Sequence, residues 1–98
     1  MTPDEQDRRS VRVVIEGRVQ GVGFRYWTER VAREVGIAGW VRNRRDGSVE
    51  ALFSGPADQV AQMLDRCREG PAGAVVTSVR IVEESGEAPD GFEVLPTL

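Results

Sequence analysis

Gly21 and Gly23, parted only by Val22 and followed by Phe24 and Arg25, are the residues of this chain whose types and spacing most suggest chemistry. Two glycines so close together let the backbone turn tightly and bring successive N–H groups to face inward, as in an anion-binding nest. Downstream, Phe24, Trp27, Val31 and Val35 recur at helical spacing, which predicts a helix from about Arg25 to Val35, ended by Gly36. The free N–H groups and positive dipole end of that helix aim at the same point as the nest. Arg25 adds a permanently charged planar fork that can take two phosphate oxygens at once. The stretch therefore reads as a grip for a phosphate-sized anion. A glycine-rich connection with a solvated arginine is the plainer reading, because such a loop alone is a weak signal.

A second polar residue bears on the choice. Asn43 stands at the end of a strand beside a tight turn, where an asparagine is most simply a turn-former. If the strand packs beside the helix that follows the glycine loop, its amide can instead project toward the loop and position a water.

Composition narrows the reaction. All 13 basic residues are arginine, and the chain has no histidine and one cysteine, Cys67. Schiff-base and histidine general-base chemistry are thereby removed, and nothing surrounds Cys67 to make a zinc site or an internal disulfide. No metal or cofactor is expected. Residues 1–49 hold ten arginines against seven acids, and residues 50–98 hold three against nine. The positive half is the place for an anion site. A net charge of -3 and the lack of an aromatic-rich strand argue against an RNA-recognition module, so no nucleic-acid partner is expected. No segment approaches the ~18 apolar residues of a membrane span. The polar start MTPDEQDRRS does not resemble a secretory signal, so residues 1–9 are expected as a flexible tail, residues 10–98 as one domain and the cytoplasm as its setting.

The elements that must position these residues follow from periodicity. Val11, Val13 and Ile15 alternate along a strand running to Val19. GWVRN and SVEALF are two strands joined across Arg44-Arg45-Asp46-Gly47, where Asp-Gly is a strong hairpin signal. Gly55 and Pro56 open a second helix whose buried stripe is Val60, Leu64 and Cys67, with Pro56 suited to the first helical position. A strand from about Val75 to Glu83, an acid-rich loop and a short strand Phe92 to Leu95 complete the chain. Trp27, Trp40, Phe53 and Phe92 are expected as core aromatics. The order is that of a ferredoxin-like, split βαβ fold of α+β class, an antiparallel sheet with two helices on one face and a short extra C-terminal strand. This scaffold serves many functions, so the site must decide among them.

GRVQGVGFRYW, followed by GWVRNRRDGSVEALFSG, resembles both signature regions of the acylphosphatase family, including the Gly47-x-Val49 step and Gly55. The likeness runs from about Val11 to Val94. It implies hydrolysis of acyl phosphates to a carboxylate and inorganic phosphate, with Arg25 and Asn43 as the catalytic pair. It also implies a phosphate cradle of Gln20, Gly21, Val22, Gly23 and Phe24 with Arg25. One departure is Arg44-Arg45, where relatives often carry an apolar residue and then proline. The resemblance implies a small acyl phosphate as the partner, and the chain is expected to act as a monomer. A non-catalytic phosphate-binding or regulatory module on the same fold is the alternative.

Overall fold

Val11, Val13 and Ile15 alternate with Arg12, Val14 and Glu16. In the computed structural model, which describes residues 8–84 and 88–98, this alternation is carried by strand β1 (Arg8–Arg18). Helix α1 (Phe24–Val35), β2 (Ala38–Asn43), β3 (Val49–Pro56), α2 (Ala57–Glu69), β4 (Val75–Glu83) and β5 (Phe92–Val94) follow. The strands form one sheet in the order β4-β1-β3-β2-β5. β3 is antiparallel to both β1 and β2, and β4 is antiparallel to β1. Hence β1 and β2 run parallel with β3 between them, and β3 and β4 run parallel with β1 between them. These are the two interleaved crossovers of the ferredoxin-like α+β fold. β5 pairs parallel with β2, so the sheet is mixed rather than wholly antiparallel.

Val11, Val13 and Ile15 turn to the helices and are wholly buried. They share one core with Val41, Val49, Ala51, Phe53 and Phe92 of the sheet. From the helices come Phe24, Val31 and Ala32 of α1 and Val60, Met63, Leu64 and Cys67 of α2. Each large aliphatic or phenyl side chain sunk here contributes about 1.5–3 kcal/mol. Thr28, inside the α1 stripe, satisfies its hydroxyl by donating to the Phe24 carbonyl at 2.8 Å.

The opposite face of the sheet is closed by charge. Glu50 of β3, 3 % exposed, accepts from Arg12 at 2.6 Å and from Arg42 at 2.9 Å. Burial alone would raise its carboxyl pKa, but the Arg42 and Arg12 hydrogen bonds outweigh it and hold the pKa below the usual 4.5. Trp40 belongs to this face and not to the core, since it alternates with buried Val41, and Arg42 lies 4.9 Å over its ring. Phe53 and Phe92 are core residues as expected, and Trp27 packs on the core while half-buried.

Element ends differ from the expected ones by one or two residues. α1 starts at Phe24, because Gly23 already takes the capping position, and α2 starts at Ala57. Pro56, with ψ 139, is still extended and ends β3 rather than starting the helix. β1 begins at Arg8, so Arg8 and Arg9 pair with Pro56 and Gly55 instead of joining a tail. Residues 1–7 of the expected tail lie outside the described residues.

Candidate active site

The glycine loop occupies the corner where β1 leaves the sheet. Past the pair Ile15–Val49, β1 separates from β3 and stays with β4 alone as far as Arg18–Val75. The chain then turns through Gly21 and Gly23, both at φ 76, on either side of Val22. That left-handed backbone is open to glycine at little cost. A Cβ placed at either position would meet nothing within 4 Å, so it is the turn and not crowding that calls for glycine.

Gly23 caps α1 with φ 76 and ψ 22, and no side chain takes up the first-turn N–H groups. The first intrahelical bond runs from the Trp27 N–H to the Gly23 carbonyl at 3.0 Å. The N–H groups before it have no helical carbonyl to reach, which leaves donors and the positive dipole end at the loop.

One hollow of about 170 Å³ is lined by Val19, Gln20, Gly21, Gly23, Phe24, Arg25, Tyr26 and Asn43. Arg25 arrives on the first turn of α1 and Asn43 from the last residue of β2, so the parallel β1–α1–β2 crossover brings them to one place. Of the expected cradle, Gln20, Gly21, Gly23, Phe24 and Arg25 line the hollow. Val22 does not, and its side chain packs toward the core instead. Phe24 is 2 % exposed and its ring lies in the core, against Trp27.

Val19 and Tyr26 also line the hollow, beyond the expected set. Tyr26 could have been found: it follows Arg25 in the first helical turn, off the apolar stripe, and is 65 % exposed. The Arg25 guanidinium stands 5.8 Å from the centre of its ring.

Glu29 and Asp46 do not line this hollow. Glu29 pairs with Arg33 at 3.1 Å along α1. Asp46 borders a separate hollow with Glu16, Gly17, Gly47 and Ser48. Arg44 and Arg45 border a third with Asp46 and Leu98. Among the described residues, no group of three or more metal-binding side chains is placed to hold an ion.

A glycine turn at a helix N-terminus, with one guanidinium and one amide lining the same hollow, offers the kind of donors that an anion takes. Comparison with known proteins narrows this class. The sequence profile of the acylphosphatase family matches residues 11–94. An acylphosphatase from Nitrobacter hamburgensis is 71 % identical over 68 residues, covering 69 % of each chain. One from Rhizorhabdus wittichii is 47 % identical over 95 residues, covering 97 % of this chain and 96 % of its own. The solved structure of an acylphosphatase from Coxiella burnetii superposes with a TM-score of 0.88 at 34 % identity, covering 97 % of this chain and all of the other. The chain belongs to the acylphosphatase family, hydrolases that act on acid anhydrides.

Proposed function

We propose that this chain hydrolyses the carboxyl–phosphate bond of small acyl phosphates, with Arg25 and the loop holding the phosphoryl group and Asn43 positioning the attacking water. The gathering of Arg25 and Asn43 around one glycine-turned hollow carries the reading. A carboxylate leaving group has a conjugate acid of pKa about 4 to 5, so it departs without being protonated and needs no general acid. What remains is to hold the phosphoryl oxygens, offset the charge they gain, and align a water opposite the breaking bond. Backbone N–H groups of the loop and the Arg25 fork suit the first two tasks. An amide, donor at nitrogen and acceptor at oxygen, suits the third. The water's proton passes to a phosphoryl oxygen of the substrate, which leaves as inorganic phosphate. The catalytic unit is a single domain whose sheet begins with β1 at Arg8, acting as a monomer in a reducing cytoplasm that suits the lone thiol of Cys67.

Hydrolysis of a simple aromatic acyl phosphate, with chelator present, tests the reading when wild type and Arg25→Ala are measured side by side. Wild-type turnover that survives chelation and collapses in the variant is expected. No wild-type turnover would reject the reading, and loss on chelation would reject its metal-free form.

A further inference from the structure

The two halves of the proposed site belong to parts of the sheet that have separated. The backbone ladder between β1 and β3 ends at Ile15–Val49, so it does not reach from the loop at residues 19–23 to the hairpin turn at residues 44–48. Within the turn, the Arg44 N–H donates to the Ser48 carbonyl at 2.8 Å and the Gly47 N–H to the Arg44 carbonyl at 3.1 Å. Gln20 crosses the gap. Its Nε2 donates to the Arg44 carbonyl at 2.7 Å and to the Ser48 carbonyl at 2.8 Å. A primary amide nitrogen has two hydrogens, and both are used; two carbonyl oxygens can be faced only by that nitrogen, so the orientation of the side chain follows from chemistry. Among the described residues, no other hydrogen bond joins the loop to the hairpin.

Building on the roles proposed for Arg25 and Asn43, we infer that the Gln20 side chain is a positioning residue and not a phosphate ligand, a clamp that fixes Asn43 relative to the anion nest. Both bonds act on the residues that follow Asn43 in the turn, one of them on its immediate neighbour. Without them the phosphoryl group is still held by the loop amides and Arg25, but the water carried by Asn43 is no longer held in line with the breaking bond. The effect falls on the reaction step and leaves binding of the phosphate itself.

Gln20→Met keeps the length of the side chain and removes both donors. In the folded variant, kcat is expected to fall about ten- to a hundredfold, the scale of a misplaced reacting group. The inhibition constant of inorganic phosphate should stay within about twofold of wild type, because the grip is untouched. Placed on Asn43→Ala, the same change should cost nothing further, since the group it positions is already gone. A fall in phosphate affinity matching the fall in kcat would make the side chain part of the anion site and overturn the inference. Unchanged turnover, or losses that multiply on the Asn43→Ala background, would overturn it too.

Two readouts do not depend on turnover. The Gln20 side-chain amide protons of the wild type should exchange slowly, and exchange at the rate of a free glutamine would refute the clamp even if Gln20→Met failed to fold. Titration with inorganic phosphate should shift the Arg44 and Ser48 amide resonances in wild type and leave them still in Gln20→Met; equal shifts in both would refute it. Should Asn43→Ala keep full turnover, the role of Asn43 fails, while these two measurements still decide on the clamp.

Discussion

The Asp46 carboxylate accepts two hydrogen bonds from Ser48 through a single oxygen, from the hydroxyl at 2.6 Å and from the backbone N–H at 2.9 Å. The hydroxyl, then the N–H, hold the acid below its usual 3.8, and the charge of Arg44 acts in the same direction. A carboxylate so stabilised is a poor proton acceptor, and its hollow is not the one shared by Arg25 and Asn43. Asp46→Asn, which keeps the acceptor oxygen, and Glu29→Gln should therefore retain turnover to within about tenfold, well short of the ~100- to 10,000-fold that loss of a general base costs. A collapse in either, as deep as that of Arg25→Ala, would reveal a protein base.

Arg25 and Asn43 are expected to fail differently. Removing one preorganised donor at a developing negative charge costs about 2.7–4 kcal/mol, roughly a hundred- to a thousandfold in rate. Arg25→Ala should lose both phosphate affinity and turnover, whereas Asn43→Ala should lose turnover and keep phosphate affinity. Product-inhibition constants measured beside kcat separate the two, and equal weakening of phosphate in both variants would contradict the division.

Two glycines of the same sequence signature are needed for unlike reasons. At Gly23 a Cβ has room but φ 76 opposes it, so Gly23→Ala should cost about 1–2 kcal/mol and weaken phosphate binding by disturbing the nest. At Gly17 a Cβ would sit 2.1 Å from the Val75 carbonyl oxygen, so β4 must move. Gly17→Ala should be the more destabilising by denaturant midpoint, and the opposite order would count against this account.

Acid sensitivity should centre on Glu50. Its folded pKa lies below the unfolded value of 4.5, so its contribution is full above that value and is lost as pH falls through the folded one. The side chains of Arg12 and Arg42 are 33 % and 26 % exposed. The loss in Glu50→Gln is accordingly about 2 kcal/mol near neutral pH, less than the ~3–5 kcal/mol of a wholly buried pair. Denaturant unfolding of the variant should also lose part of its dependence on pH below about 5.

Burial pushes the Cys67 thiol up to about 12, with Arg68 and Arg66 pulling weakly the other way. A neutral thiol inside the core does not react. Labelling by a thiol reagent should therefore proceed at the rate of global opening and accelerate with denaturant in step with unfolding. Fast labelling of the native protein would show an opening near α2 that the packed core does not suggest.

Much of this architecture was legible because its signals are local. The 3.6-residue stripe of α1, the Asp-Gly turn and the alternation of β1 each depend on neighbours in the chain, and the chain obeys them. Trp40 departs from its expected place in the core because alternation gives two faces without saying which meets the helices. The pairing of β5 with β2 was invisible for a related reason: parallel ladders join segments that no turn connects. Tyr26, by contrast, is legible, since it follows Arg25 in the first helical turn and lies off the apolar stripe.

By itself, the sequence determined the chemistry this protein can offer: an arginine fork, an amide and a glycine turn, with neither histidine nor lysine. Residue types decide donors, charges and allowed backbone angles before any folding. Only the tertiary structure decided how these groups meet. The crossover brings Asn43 and Arg25 to one hollow, and past the end of the β1–β3 ladder Gln20 bridges to the hairpin. A side chain's hydrogen bonds go to the acceptors within reach, and reach is a property of the fold.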